Sequence, residues 1–362
     1  MFCTNPFNHI DIIVENEHVY IKPCNVWSKQ MSLAQYKKNI KNIQNILKTT
    51  FHNRCGVCID KEKYGARSRR QAVNQFHKDN RLMLDKIQSL GLRYGTLCNS
   101  KCIICSHVRS SSWVSDSIEL GVEVEPRFLF KKNKMPGIDF LFDEFDLSDL
   151  KYVEFHGGEP LLQTYPLEFL KKIKNLGQLV VKFNTNLTVL PSQQLQEILK
   201  ECKRVDFLIS VDDIEERYEI LRYPAKWNDF EHNLKYMKTL QYRLIAFNVI
   251  STLNLWYLPE FYHWAIRNFG NNVHSQFVDP SFFLDPKIAD ISYLNNKAKE
   301  KFLNKIEGVN SKLYHSIRNK LSENKAINFD VVRLENYLKK LDKIRSTDYF
   351  SSFSEWWKII KE

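Results

Sequence analysis

The sequence predicts an α/β fold built from parallel β/α units, and three observations lead to this prediction. Six short segments rich in β-branched or aromatic residues read as strands, and segments with apolar residues at helical spacing separate them. Of the 362 residues, 43% are hydrophobic and 13% aromatic, which is enough for a sizeable core. Alternating strands and helices are typical of a parallel sheet covered by helices.

The predicted elements follow one another in a regular order. Strands are expected at residues 92–96, 152–155, 179–183, 206–211, 244–250 and 274–277. Helices are expected at residues 166–176, 192–202, 231–240 and 259–269, with a tail of helical patterns at 298–306, 313–321, 331–341 and 353–360. Residues 10–14 and 18–21 resemble a hairpin, and residues 115–149 depart from the rhythm as an insertion.

Three cysteines, Cys98, Cys102 and Cys105, form a C-x3-C-x2-C pattern just after the first of these six strands. Three thiolates would leave one metal of a four-iron cluster without a protein ligand, and an open metal position can bind a further molecule. The spacing alone is equally compatible with a structural zinc site or with three unrelated thiols.

A second motif, Gly157-Gly158-Glu159-Pro160, follows the second predicted strand. Two glycines let the backbone approach a ligand closely, and a carboxylate can accept hydrogen bonds from an ammonium group. Alone the motif is a turn. Downstream of the cysteine triplet and at a strand end, it favours a ligand site.

The two motifs together resemble the signature of the radical S-adenosylmethionine superfamily, with support across residues 91–277. The resemblance implies a partial (β/α)6 TIM-like barrel at residues 89–285, between an N-terminal cysteine-containing region (1–88) and a C-terminal helical extension (286–362). It also implies a 4Fe-4S cluster on the triplet that binds S-adenosylmethionine at its open iron. In this family an electron cleaves the cofactor, and the resulting 5'-deoxyadenosyl radical removes a hydrogen atom from the substrate.

The resemblance further implies which residues contact the cofactor. Glu159 would accept the cofactor ammonium, and Gly157 and Gly158 would bring the backbone close to it. Lower-ranked contacts lie at later strand ends, where polar caps of turns are an equally good interpretation. They are Asn184, Ser210, Asp212 and Ile250.

Near these strand ends, one residue departs from the family pattern and another resembles it. Asn186 stands where many relatives have glycine after Thr-Asn. Arg222 resembles a recurrent arginine after the fourth strand, which could face the cofactor carboxylate, although a solvated helix arginine is the more common situation.

Four of the eight cysteines, Cys3, Cys24, Cys55 and Cys58, lie ahead of the predicted barrel. Their segment around residues 55–69 is similar to one found beside the cysteines of SPASM or twitch modules, which usually bind an auxiliary cluster in a C-terminal extension. Since no cysteine follows Cys202, a second 4Fe-4S cluster would have to be N-terminal. A zinc site and free thiols are the alternatives. Cys202 itself is expected to be a buried helix residue.

The charge balance bears on partners. The chain has 53 Lys and Arg against 42 Asp and Glu, a net charge of +11, which indicates an acidic partner. Nucleic acid fits this charge but is not favoured, because no recognisable binding module accompanies it. We expect no membrane segment and a cytoplasmic location, since no signal segment or long apolar run is present.

The resemblance gives peptide or protein modification as a first hypothesis for the reaction, with an electron donor such as flavodoxin or ferredoxin as a partner. Two alternatives stay open. One is radical modification of a nucleotide, sugar or tRNA, and the other is a non-enzymatic zinc or iron-sulfur binding module.

Overall fold

The computed structural model describes residues 2–15, 17–63, 65, 67–79, 81–84, 86–129, 136–278, 289–309, 311–323 and 330–362. The chain divides into two compact units. The first consists of Met1–Thr96, Lys131–Asn184 and Pro191–Asp206. The second consists of Leu97–Phe130, Thr185–Leu190 and Phe207–Glu362. The expected division of the chain at residues 88/89 and 285/286 stays a prediction.

The strands lie close to their predicted positions. They are β1 (His9–Glu15), β2 (His18–Lys22), β3 (Met31–Ser32), β4 (Ser89–Tyr94), β5 (Tyr152–His156), β6 (Val180–Thr185), β7 (Arg204–Ser210), β8 (Arg243–Ile250) and β9 (Val273–Phe277). All six predicted strands of the β/α units are present, as β4 to β9, with ends shifted by at most three residues.

The helices are α1 (Asn5–Asn8), α2 (Leu33–Leu47), α3 (Gly56–Lys63), α4 (Arg69–Asp79), α5 (Trp113–Glu119), α6 (Pro126–Leu129), α7 (Asp139–Glu144), α8 (Tyr165–Lys171), α9 (Gln193–Lys200), α10 (Glu215–Leu221), α11 (Trp227–Met237), α12 (Leu258–Phe269), α13 (Asn296–Lys305), α14 (Lys312–Leu321), α15 (Val331–Arg345), α16 (Tyr349–Ser352) and α17 (Ser354–Lys361). The predicted helix at 166–176 is shorter than expected, because a separate 3-10 turn forms at Leu176–Gln178.

In the first unit, the predicted hairpin is confirmed and is part of a larger sheet. β1 pairs with β2 in antiparallel fashion and with β4 in parallel, and β4 to β6 continue the sheet in parallel. Successive residues of β1 alternate between an apolar face and a polar one, yet all seven are buried. The polar side chains of β1 are therefore enclosed within the protein.

In the second unit, β8 pairs in parallel with β9, and helices follow the strands along the chain. The predicted C-terminal helical extension is present as α13 to α17. It is held by buried aromatic residues, among which Trp256 and Trp356 stack with ring centroids 5.6 Å apart.

The predicted α/β class is thus confirmed, since each unit contains parallel strand pairs and helices lie between the strands along the chain. Among the described residues, no helix combines the length and apolar character needed to cross a membrane.

Candidate functional site

The loop that carries the cysteine triplet is held by hydrogen bonds to neighbouring segments, most of them close to Cys102. The backbone N–H groups of Lys101 and Ile103 donate to the carbonyls of Tyr223 and Leu221, at 2.6 and 2.8 Å. The indole N–H of Trp113, at the start of α5, donates to the carbonyl of Cys102 at 2.9 Å. Serine hydroxyls hold two further loop carbonyls. The cysteines therefore lie on a loop whose shape is set by its surroundings.

The sulfur atoms of two cysteines accept N–H hydrogen bonds. The Sγ of Cys98 accepts from the backbone N–H of Ser100 at 3.4 Å and from the side-chain amide of Asn186 at 3.9 Å. The Sγ of Cys102 accepts from Nη1 of Arg222 at 3.7 Å. Donors directed at sulfur stabilise the thiolate form, which is the form that binds metal.

Arg222 is only 5% exposed, so the interpretation as a solvated helix arginine is wrong. It follows α10, and its Nη2 lies 2.7 Å from Oδ2 of Asp212 at the end of β7. The other carboxylate oxygen of Asp212 accepts from the backbone N–H of Val249 at 2.9 Å. Asp212, expected to contact the cofactor, thus has its carboxylate turned to Arg222 and β8.

Burial and the nearby positive charge shift the pKa of the triplet thiols in opposite directions. Burial raises the pKa of the Cys102 thiol, and the Arg222 guanidinium opposes that rise. Burial also raises the pKa of Cys105, whose thiol donates to the carbonyl of Ser106 at 3.7 Å. Without metal these thiols stay protonated at neutral pH, so metal binding would release protons.

Asn186, which stands in place of glycine, joins the triplet loop through several contacts. Its side-chain amide donates to Oδ1 of Asn99 at 3.0 Å and to Oγ of Ser100 at 2.9 Å, in addition to the Cys98 sulfur. The side-chain oxygen Oδ1 of Asn186 accepts from the backbone N–H of Thr188 at 2.9 Å. A glycine could make none of these side-chain contacts, so the departure adds donors to the loop.

A buried ionic network that the sequence reasoning missed lies behind the same loop. Asp116 of α5 is fully buried and pairs with Lys101 and, at 2.8 Å, with Nε of Arg345 at the end of α15. The guanidinium of Arg345 also lies 4.6 Å from the ring centroid of Trp113. Residue spacing gives no sign of this pairing, because Asp116 and Arg345 are 229 positions apart.

The other expected contacts in the second unit lie at the ends of β7 and β8. Ile250 is 1% exposed and Ser210 is half-buried. Asn254 connects these strand ends, because its amide donates to the carbonyls of Asp212 and Val249, both at 3.0 Å. These residues shape the strand ends, and the polar-cap interpretation describes Asn254 well.

The Gly-Gly-Glu-Pro motif lies in the first unit, directly after β5. Gly157 and Gly158 have φ angles of 92° and 51°, which L side chains rarely adopt. A Cβ atom at Gly157 would collide with the side chain of Arg93, a buried residue paired with Glu15. Glu159 is fully buried, and its Oε1 accepts from the N–H of Leu161 at 3.1 Å. The glycines are thus required by backbone geometry and by Arg93.

Asn184, at the end of β6, is a half-buried residue of the same unit. Its side-chain amide donates to Oε1 of Glu154 at 2.9 Å, and Lys182 lies 3.1 Å from the same oxygen. These neighbours lower the pKa of Glu154 to about 2, although burial opposes the shift. Glu154 and Lys182 were not predicted from sequence, since alternation in a strand does not distinguish a polar buried face from a solvated one.

The structure brings the four N-terminal cysteines together in one cavity of the first unit. Cys3 precedes α1, Cys24 follows β2, and Cys55 and Cys58 flank the start of α3. The cavity lining is mostly apolar, with two arginines, and comprises Cys3, Asn5, Pro6, Pro23, Cys24, Val26, Trp27, Leu47, Phe51, Arg54, Cys55, Cys58, Arg70 and Val73. Three separated segments therefore supply four thiols to one enclosure.

Burial governs the chemistry of these thiols as well. It raises the pKa of Cys3 to about 11, and it raises the pKa of Cys24 and Cys55 too. Cys3 is anchored by its neighbours: the carbonyl of Phe2 accepts from Arg70 at 3.1 Å and from Asn74 at 2.8 Å. Donor type and enclosure fit a soft metal centre.

Among the described residues, no three His, Cys, Asp or Glu side chains converge closely enough to hold a single metal ion. A four-iron cluster places a different requirement on its ligands, because each cysteine binds a different iron. Cys202 is the eighth cysteine and belongs to neither the triplet nor the N-terminal group. It is half-buried in the turn after α9 rather than buried within the helix, because α9 ends at Lys200.

The sequence matches no protein-family model, and no curated protein matches it. Solved structures similar to this one include anSMEcpe with bound AdoMet, with 17% sequence identity and a TM-score of 0.40 over 60% of this chain and 62% of that one. Streptococcus suis SuiB bound to the precursor peptide SuiA is also similar, with 12% identity and a TM-score of 0.38 over 95% and 74% of the two chains.

TYW1 with a lysine-pyruvate adduct bound gives a TM-score of 0.32 at 14% identity, over 58% of this chain and 69% of that one. The match to anSMEcpe thus spans about three fifths of that protein's length. At these identities and TM-scores, no residue role is transferred from these proteins to this chain.

Proposed function

We propose that this chain is a radical S-adenosylmethionine enzyme whose catalytic 4Fe-4S cluster is held by Cys98, Cys102 and Cys105. The observation that carries the proposal is the set of N–H donors directed at the sulfurs of Cys98 and Cys102. Unligated thiols have no need of a buried guanidinium, whereas thiolates that carry negative charge to a cluster are stabilised by one.

The residues around the triplet fit such a cluster. Three cysteine ligands would leave one iron open for the amino and carboxylate groups of S-adenosylmethionine. When bound, the cluster would supply the electron that cleaves this cofactor. The chain's own contribution is to hold the loop through Trp113 and to offset thiolate charge through Arg222.

The cofactor contacts remain proposals drawn from the resemblance. Gly157 and Gly158 would bring the backbone close to the cofactor, and the buried carboxylate of Glu159 would accept its ammonium group. Weaker proposals concern residues at strand ends. One of them, Asp212, also forms an ion pair with Arg222. These weaker contacts are Asn184, Ser210, Asp212 and Ile250.

We further propose an auxiliary 4Fe-4S cluster, of the kind found in SPASM or twitch modules, on Cys3, Cys24, Cys55 and Cys58. Their common cavity supports a four-thiolate centre, and Arg54 and Arg70 in its lining would offset part of the negative charge. A zinc ion, the alternative, would require these sulfurs to converge on one point, which no three His, Cys, Asp or Glu side chains do among the described residues.

Peptide or protein is the proposed substrate class, on the basis of the motif resemblance. A flavodoxin or ferredoxin would be the electron donor, and a reducing compartment such as the cytoplasm would keep the thiols available. The net charge of +11 favours the second candidate, an acidic substrate such as a nucleotide or tRNA. Binding that weakens steeply with salt would separate this candidate from a neutral peptide.

Anaerobic reconstitution with iron and sulfide tests the proposal. Reduction in the presence of S-adenosylmethionine should yield 5'-deoxyadenosine, with about eight irons per chain if two four-iron clusters form. If cleavage occurs with only about four irons per chain, the proposal of an auxiliary cluster is wrong and the proposal of a catalytic cluster stands. Bound zinc with no cleavage would favour the non-enzymatic binding module, and Cys202→Ala is the control that should change neither measurement.

A further inference from the structure

The contact between Arg222 and Cys102 places a cation inside the protein beside one particular sulfur of the triplet. Arg222 is 5% exposed, and its Nη1 donates to the Cys102 sulfur at 3.7 Å. An arginine side chain keeps its proton in proteins. The guanidinium is therefore charged at any working pH, and its field acts in a medium of low dielectric.

The position of that cation is fixed by several bonds. Nη2 of Arg222 lies 2.7 Å from Asp212, whose other oxygen accepts from the N–H of Val249 at 2.9 Å. The carbonyl of Asp212 accepts from the side-chain amides of Asn248 and Asn254, at 2.9 and 3.0 Å. A cation held in this way keeps a constant distance from the sulfur.

We propose that Arg222 raises the reduction potential of the cluster on the triplet, acting through its charge and its hydrogen bond to the Cys102 sulfur. This inference rests on the proposed function. Reduction adds one electron, so a nearby positive charge favours the reduced cluster, and N–H donors to sulfur act in the same direction. The hydrogen bond from Arg222 goes to Cys102, and its charge also acts on Cys105, whereas the Ser100 and Asn186 donors at the Cys98 sulfur are neutral.

The chain contains a matched pair that separates this effect from general stability. Asp213 directly follows Asp212 in sequence, and its buried carboxylate lies 3.0 Å from the guanidinium of Arg217, whose side chain is 15% exposed. The other contacts of Arg217 are with Glu260, at 2.7 Å, and with the ring of Tyr257, 4.2 Å from its centroid. Loss of Arg217 removes an ion pair of the same kind, and none of these contacts involves a sulfur.

The experiment is a potentiometric titration of the reconstituted full-length protein, followed by electron paramagnetic resonance, without S-adenosylmethionine. In Arg222→Met the ratio of oxidised to reduced cluster at a given potential should be at least tenfold higher than in the wild type. This corresponds to a fall of the reduction potential by about 59 mV for a one-electron couple. Arg222→Gln carries the same expectation and is used if the first variant does not retain iron. Arg217→Met should leave the potential unchanged.

Each outcome bears on the inference. An unchanged potential in an Arg222 variant with full iron content overturns it, as does an equal drop in Arg217→Met. If a separate binding measurement shows weaker S-adenosylmethionine binding while the potential is unchanged, the inference is overturned and Arg222 is assigned to the cofactor carboxylate. A wild-type protein that forms no cluster on the triplet contradicts the proposed function instead, and it does so before any variant is measured.

Discussion

The two groups of cysteines lie in contrasting surroundings. The sulfurs of Cys98 and Cys102 accept three N–H hydrogen bonds, one of them from a buried cation. The thiols of Cys3, Cys24 and the Cys55–Cys58 pair line a cavity made largely of proline, valine, leucine and aromatic side chains. Cysteine sulfurs therefore lie among hydrogen-bond donors in the triplet and mostly among apolar side chains in the N-terminal cavity.

This difference teaches what each group can do. Donors at sulfur stabilise a centre that changes its charge, and three cysteines leave a position for an external ligand. An apolar cavity with four thiols suits a centre that keeps all its ligands and excludes water. We therefore expect changes behind the triplet to alter chemistry, and changes around the N-terminal cavity to alter metal content and stability.

The largest effect is expected from the ligands themselves. Cys98→Ala should abolish formation of 5'-deoxyadenosine, because the proposed catalytic cluster would lose one of its three cysteine ligands. Cys55→Ala should spare the catalytic cluster and lower total iron. Iron analysis and chromatography of the reaction products measure both effects. Equal loss of both clusters in the two variants would break the contrast between the groups.

The next comparison is between two acidic residues, Asp116 near the triplet and Glu62 near the N-terminal cysteines. Asp116→Ala should cost about 3–5 kcal/mol in free energy of unfolding, because it leaves the buried Arg345 without its carboxylate. Glu62→Ala should cost less, since Glu62 and its partner Arg70 are partly exposed, at 17% and 15%. Denaturant unfolding measures both. A larger loss for Glu62→Ala would show that the N-terminal group depends more on ion pairing than the triplet does.

Much of the fold could be predicted from the sequence because it depends on local patterns. Strand segments such as β5 and β8 show β-branched and aromatic residues between turn signals, and they formed where expected. The hairpin was also visible. Its parallel pairing with β4 was not, because a pairing across some 80 residues leaves no periodic pattern in the chain.

The candidate site was predictable to the extent that it depends on spacing. The triplet and the two glycines were visible for that reason. The partners that decide their chemistry were not, because Arg222 and Asn186 reach the cysteine sulfurs across 120 and 88 positions, respectively. Arg222 even resembles a solvated helix residue when only its neighbours in sequence are considered. Burial of charge is decided by tertiary packing, which composition does not show.

A smaller effect is expected from the tryptophans that adjoin the two groups. Trp113→Phe removes the indole N–H that the Cys102 carbonyl accepts, which should cost about 1–3 kcal/mol and weaken retention of the catalytic cluster. Trp27 packs beside Cys3, but its indole N–H has no partner among the described residues. Trp27→Phe should therefore cost less. Thermal unfolding and iron retention during gel filtration measure the difference, and equal costs would contradict the argument.

The smallest effect is expected from Asn186. Asn186→Ala removes one neutral donor from the Cys98 sulfur and leaves the Ser100 N–H in place, so the cluster should still form and the cofactor should still be cleaved. Its reduction potential should fall by less than in Arg222→Met, because a neutral amide carries no net charge. The same titration measures both variants. A fall as large as that of Arg222→Met would mean that hydrogen bonding, rather than charge, distinguishes the triplet from the N-terminal cysteines.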